Sequence, residues 1–347
     1  MDQAINFIPA LKDQVITIVL LGLLSLIIAT VLTPAYTWLA YRFRWWKQQR
    51  ETTLTGEKAK IFHKLHAAKH AQNIPTMAGV IAVIAVSLVT LLFNWDRGQT
   101  WLPLAAMVGA ALVGLLDDII NLQGNGGTAG LKAKFKLLLI IMIGLAGGLY
   151  SYIKLGYSNL DVPFLNGNLE VGWLFVPIFV FVVVATANSV NLTDGLDGLA
   201  GGLLTIVFGV YAIIAFLQGN YGIAGFCLTM AGALISYTWF NIFPARFFMG
   251  DVGSFAFGTA LGVVAMLTDT VLLLPIIGIV FVAETGSVII QLLSKKFLKR
   301  KVFISSPLHH HFEAVGWPET KVTMRFWLIG QIAALVGLMV AIYGGQL

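Results

Sequence analysis

A chain of 347 residues that is 58% hydrophobic and only 11% charged, with a mean hydropathy of +0.86, is too apolar to be a soluble globular domain. Its single cysteine, Cys227, excludes an internal disulfide and a cysteine-based zinc site. The net charge of +6 is spread over segments between apolar runs, so it reports membrane topology and needs no nucleic-acid partner.

Ten apolar runs predict membrane-spanning helices, in chain order at 15–40, 75–93, 101–116, 137–153, 171–187, 199–217, 222–240, 252–267, 271–293 and 326–343. The first is too long for a signal-peptide core and lacks a small-residue cleavage site, so it reads as a retained span. Of the 22 Lys and Arg, all but Lys12, Arg97 and Lys154 fall after spans one, three, seven and nine. The positive-inside rule makes that side the cytoplasm and turns both termini outward. The predicted architecture is an all-α polytopic membrane protein with about ten helices, a single transmembrane domain over 1–347. Its cytoplasmic loops are 41–74, 117–136, 188–198, 241–253 and 294–325, and the Gly-rich run 124–130 reads as a flexible part of the second.

Polar chemistry collects on those loops. Asp117 and Asp118 close span three. ANSVNLTDGLDGLA at 187–200 sets two asparagines and two aspartates between two spans, and Asp251 follows in FFMGDVGS. A lone aspartate at a membrane edge is usually a helix cap, but five carboxylates at one interface repel one another unless a cation sits among them. An all-oxygen set suits magnesium, which binds one or two carboxylates and takes its remaining ligands from water and substrate phosphates. That points to phosphoryl transfer. If a helix starts within DGLDGL, Asp194 and Asp197 share one face of its first turn.

The last cytoplasmic loop holds SSPLHHHFEAVGWPE. His309, His310 and His311 cannot all point one way. Taken alone they fit a transition-metal site, a pH-sensitive patch, a solvated loop, or donors to a pyrophosphate. Glu284 in VFVAETGSV is the one acid clearly inside a span, with no evident basic partner, and a structural hydrogen-bonding role is expected of it. Pro275 and Gly278 permit a bend in span nine. Lys69 and Lys136 could bind phosphate or act as topology signals alone.

In family order over about 240 residues, the chain carries PTMAG (75–79), LLDD (115–118), NSVNLTDGLDGLAGG (188–202), FFMGDVGS (247–254), FVAETGSVIIQ (281–291) and SPLHHHFEAVGWPE (306–319). In these stretches it resembles the bacterial phospho-N-acetylmuramoyl-pentapeptide transferases (translocase I). These belong to the polyprenyl-phosphate N-acetylhexosamine-1-phosphate transferase superfamily, glycosyltransferase family 4. The resemblance implies Mg2+-dependent transfer of phospho-MurNAc-pentapeptide from UDP-MurNAc-pentapeptide to undecaprenyl phosphate. The products are lipid I and UMP, in the first membrane step of peptidoglycan synthesis at the bacterial cytoplasmic (inner) membrane. Carried over by motif, Asp251 is the metal ligand, and Asp117 and Asp118 lie at the reaction centre. Asn188, Asn191, Asp194 and Asp197 border the nucleotide, and Phe248 stacks on uracil. His309, His310, His311 and Lys136 contact substrate, and a homodimer is a family-level expectation.

Two departures stand out. The family's K-x-G-T-P-T-M-G-G appears as AQNIPTMAG, so an alanine replaces the lysine and Lys69 is the nearest substitute. NIFPARFF differs from the common N-A-P-P-A form but keeps Pro244, Ala245 and Asn241, which joins the substrate-binding set. Two other functions compete. A GlcNAc-1-phosphate (or related amino-sugar) transferase shares the aspartates but generally lacks the HHHFE loop. A non-catalytic transporter calls for acids facing one another inside spans.

Overall fold

The structure is a computed structural model that describes residues 2–46, 73–96, 98–123, 130–165 and 168–347. Lys69, most of the first cytoplasmic loop and residues 124–129 lie outside the described residues. The helices are α1 (Asp2–Arg42), α2 (Gly79–Phe93), α3 (Trp101–Gln123), α4 (Ala133–Lys154), α5 (Phe175–Thr193), α6 (Leu199–Leu217), α7 (Tyr221–Asn241), α8 (Gly250–Leu267), α9 (Leu274–Ile277), α10 (Ile279–Leu293), α11 (Leu308–Ala314) and α12 (Glu319–Tyr343). A two-stranded antiparallel hairpin, β1 (Asn159–Asp161) and β2 (Asn168–Glu170), pairs Leu160 with Leu169 between α4 and α5.

The chain is thus an all-α polytopic membrane protein. Each predicted run falls on a helix. Among the described residues eight helices are long and apolar enough to cross a membrane, and α2 is a shorter apolar helix. The run 271–293 is not continuous: it breaks at Gly278, with Pro275 in the first turn of α9, into α9 and α10. A proline there loses no helix hydrogen bond, because first-turn N–H groups have no partner within the helix. Leu20, Val31, Leu92, Phe181, Trp239 and Ile332 are more than half exposed, as expected of side chains that meet lipid.

The central element is α8, in which every residue is buried. Its sequence, GDVGSFAFGTALGVVAML, places Gly, Ala, Ser or Thr at nearly every turn, which lets neighbouring backbones approach closely. It packs on α2, α3, α5 and α6. At the α3 crossing a Cβ on Gly114 would overlap the Asp251 carbonyl, and on the α2 side a Cβ on Gly79 would overlap Gly253. Small residues therefore draw the N-terminus of α8 against the C-terminal half of α3, where the aspartates sit.

The opposite end of the bundle is closed by a polar clasp. Gln218 Nε2 donates to the carbonyls of Thr268 and Gln346 at 2.8 Å each, and Gln346 Nε2 donates to the Asp161 carbonyl at 3.1 Å. Asp161 N donates to Asp269 Oδ1 at 3.0 Å. Burial pushes the Asp269 carboxyl up to about 6. The Asp161 N–H pulls it down, and the Asp161 charge pushes it further up. Burial also raises the Asp161 carboxyl. The folded state thus favours protonated Asp269, so its contribution to stability is full below the unfolded value of about 4 and is lost as the pH rises through about 6. We expect Asp269→Asn, which keeps the acceptor without the charge, to match the wild type in thermal stability near pH 4 and to exceed it near pH 7. Equal melting temperatures at both pH values would exclude this linkage.

Candidate active site

Asp117 and Asp118 do not end a helix. The apolar run stops at Leu116, but α3 continues to Gln123, and both aspartates are fully buried within it. They are not caps, and each has a separate task. Asp117 accepts the Leu131 N–H through Oδ1 and holds Lys136 Nζ at 3.1 Å through Oδ2. Asp118 Oδ2 accepts the Val252 N–H at 3.0 Å, in the first turn of α8.

Asp251 follows Gly250 in that same turn, where the helix dipole favours a carboxylate. Its Oδ2 lies 3.0 Å from Lys136 Nζ, so one ammonium, projected from α4, bridges Asp117 and Asp251. Asn191 on α5 completes the group, with Nδ2 2.8 Å from Ser254 Oγ and 3.4 Å from Asp251 Oδ1. The stretch before α8 is fixed by PTMAG: Phe248 N donates to the Pro75 carbonyl at 2.8 Å, Ala78 N to Phe248 O at 3.0 Å, and Gly79 N to Met249 O at 2.9 Å. Tyr36 on α1 donates to the Thr76 carbonyl behind it. Phe247 is core, packed on Tyr36, Tyr237 and Phe240, whereas Phe248 is only half-buried.

The polar loop 194–198 is not a helical turn. α6 starts only at Leu199, after Gly198 in the left-handed region (φ 76°), so Asp194 and Asp197 lie on an irregular loop and not on one helical face. Asp197 is 3% exposed. Its Oδ2 accepts the Ala245 N–H at 3.0 Å, its N–H donates to Glu319 Oε1 at 2.7 Å, and its carbonyl accepts the Thr323 hydroxyl at 3.2 Å. Gly198 N donates to Asn241 Oδ1 at 2.9 Å, and Trp327 Nε1 donates to the Gly198 carbonyl. Asn241 also donates to the Phe247 carbonyl at 2.8 Å, so it ties this loop to the segment bearing Phe248 and Asp251. Replacing it with leucine leaves two buried backbone groups without that partner. At about 1–3 kcal/mol each, Asn241→Leu should lower unfolding stability by about 2–6 kcal/mol, read as a loss of melting temperature in detergent. An unchanged melting temperature would show that the link is not structural.

Asp194 caps α5 and is half-buried, and Asn188 donates to the Val184 carbonyl of its own helix at 2.7 Å. The three histidines lie on α11 and divide as helical geometry requires. His309 is buried, with Nδ1 3.0 Å from Glu284 Oε2. His310 Nδ1 lies 2.7 Å from Glu313 Oε2, and His311 Nδ1 accepts the Ile304 N–H at 3.2 Å. His310 and His311 are half-buried.

Asp117, Lys136, Asn191 and Asp251 therefore form one connected group, tied by Asp118 to the start of α8. Asp197 and Asn241 belong to an adjoining network with Glu319, Thr323 and Trp327. Sequence reasoning did not single out those last three or Tyr36. Glu319 is visible in hindsight as the acid that opens the last span in WPE, but nothing in the sequence marks Trp327 among the other apolar residues of that span.

Chemically, the first group is an anion pair neutralised by a cation at the mouth of a buried helix, with amide and hydroxyl donors beside it. Such an arrangement can position and neutralise phosphates. The family model described as glycosyl transferase family 4 matches residues 100–269, which contain Asp117, Asp118, Lys136, the 194–198 loop and Asp251. Over 330 residues the chain is 38% identical to the phospho-N-acetylmuramoyl-pentapeptide-transferase of Geobacillus sp. strain WCH70, covering 94% of this chain and 98% of that one. It is 41% identical over 286 residues to the protein of that name from Chloroflexus aurantiacus, 78% of each chain. A Bacillus mycoides relative of the same name is 40% identical over 284 residues, 81% of this chain and 87% of its own.

Proposed function

Since the chain belongs to the phospho-N-acetylmuramoyl-pentapeptide transferase family and is a membrane phosphotransferase, we propose that it moves phospho-MurNAc-pentapeptide from UDP-MurNAc-pentapeptide to undecaprenyl phosphate, giving lipid I and UMP. In this reading the site faces the cytoplasm at the bacterial inner membrane, where a soluble nucleotide and a lipid phosphate can meet. The observation that carries it is the convergence of Asp117, Asp251 and Lys136 beside Asn191.

The same convergence bears on magnesium. Two carboxylates from different helices point at one cation-sized position taken by the Lys136 ammonium, and the nearby donors are oxygens and an amide. Among the described residues no group of three or more His, Cys, Asp or Glu is arranged to hold a metal ion by itself. A site offering few protein ligands suits Mg2+, which keeps waters and takes substrate phosphate oxygens. Asp251 would hold the ion, with Asp117 next to it, and a bound Mg2+ supplies charge neutralisation at the pyrophosphate.

The chain's own residues supply position and charge. Lys136 neutralises anions between Asp117 and Asp251. Asp118, through the Val252 N–H, fixes the start of α8 relative to α3 and so sets where Asp251 stands. Asn191 holds Asp251 and Ser254 in register. In this reading the 194–198 loop, with Asn188, forms the nucleotide-facing wall, and the half-buried Phe248 ring stacks on uracil. His310 and His311, half-buried on α11, contact phosphate or sugar in this reading. Undecaprenyl phosphate is already a nucleophile, so direct in-line attack needs no covalent enzyme intermediate, and Asp117 is the residue nearest the attacking group.

The test is UMP release by purified protein. We expect release with UDP-MurNAc-pentapeptide, undecaprenyl phosphate and Mg2+ together, and none when UDP-GlcNAc replaces the nucleotide or when the lipid phosphate is left out. Release with UDP-GlcNAc would move the chain to the amino-sugar branch. A stoichiometric burst of UMP without lipid would favour a phospho-enzyme.

A further inference from the structure

Glu284 lies in α10 with no exposed surface. A carboxylate there is costly unless donors meet it. Both donors found among the described residues come from one residue: the His309 backbone N–H, 3.2 Å from Oε1, and the His309 ring nitrogen Nδ1, 3.0 Å from Oε2. The ring is thereby held at two points.

With the proton on Nδ1, the other ring nitrogen carries a lone pair. His309 Nε2 is buried and has no hydrogen-bond partner among the described residues. Nε2 faces the 194–198 loop so closely that a Cβ on Gly195 would overlap it. The loop is thus gripped from two sides: His309 abuts Gly195, while Glu319, Asn241 and Trp327 hold Asp197 and Gly198.

We propose that Glu284 is a positioning residue for the nucleotide loop, acting through His309 by a hydrogen bond that fixes the ring against Gly195. The inference rests on reading that loop as the nucleotide wall. Once the acceptor is lost, His309 can swing away, the Asp194 end of the loop loosens, and nucleotide affinity falls while lipid-phosphate affinity does not.

Three single variants and the Glu284→Leu/Gly195→Ala double variant test this. Glu284→Leu should raise KM for UDP-MurNAc-pentapeptide about tenfold, the scale of one hydrogen bond to a charged group, with KM for undecaprenyl phosphate unchanged. Glu284→Gln keeps an acceptor for Nδ1–H and should stay within about threefold of wild type. Gly195→Ala pushes a methyl against Nε2 and should reproduce the Glu284→Leu effect, and the double variant should be no worse than either alone. Hydrogen exchange of the 194–198 amides should quicken in Glu284→Leu and stay at wild-type rates in Glu284→Gln.

Wild-type KM and exchange in Glu284→Leu would overturn the proposal. So would a Glu284→Gln variant as impaired as Glu284→Leu, or additive effects in the double variant. If Glu284→Leu does not fold, the Gln and Gly195→Ala variants still decide. If the wild type releases no UMP, the functional reading fails, and the exchange measurements judge the positioning role independently.

Discussion

Asp251→Asn should abolish transfer, lowering UMP release by about a thousandfold or more, the scale seen when a preorganised electrostatic group is removed from a reaction centre. The substitution changes one oxygen to an amide without changing shape. Lys136 keeps Asp117 as its partner, so no buried charge is left alone, and the N-terminus of α8 stays attached through Asp118 and the Val252 N–H. The variant should enter the membrane and melt close to the wild-type temperature. Normal turnover would overturn both roles proposed for Asp251, as a metal ligand and as a member of the reaction centre. Loss of activity together with loss of the fold would instead assign it a structural role.

The second large effect is expected one residue earlier. Gly250 has φ 76°, a conformation that costs an L residue about 1–2 kcal/mol. A Cβ there would lie 2.6 Å from Asp118 Oδ2 and 2.8 Å from Met77 N. The backbone and the carboxylate cannot both stay in place, so Asp118 and the first turn of α8 must part. A displacement near 1 Å at a reaction centre costs about a hundredfold. Gly250→Ala should therefore lose about that much turnover, with a lower melting temperature as well. UMP release within a factor of two of wild type would show that the Asp118 contact is dispensable.

The all-α membrane-spanning architecture was legible in the sequence because long apolar runs follow from the cost of putting charge and unpaired backbone into lipid. The run ending at Leu116 shows where that signal stops: hydropathy cannot see that α3 continues through Asp117 and Asp118, because those two side chains turn into the bundle while Leu116, Ile119 and Ile120 stay exposed. Pro275 and Gly278 announced the break in span nine. The gathering of Asp117 and Asp251 was legible in part, since aspartates that recur at the ends of apolar runs fall together when those runs pack. The division of labour was not. Nothing in DGLDG says that Asp197 spends its carboxylate on the Ala245 N–H, or that the acid in VFVAET finds its partner in a histidine 25 residues on. Such assignments depend on which backbone groups a loop leaves unpaired, and that is settled only by the fold.

Because α8 has no face turned outward, it meets protein on every side once the chain is folded. The helices on which it packs, α2, α3, α5 and α6, all precede it in the chain. During N-to-C synthesis its cradle is already in the bilayer when Gly250 emerges. The centre that bears Asp251 is therefore assembled by insertion into a waiting slot, and a substitution that enlarges α8 should first appear as a defect in biogenesis, with too little protein in the membrane, before it appears as a defect in catalysis.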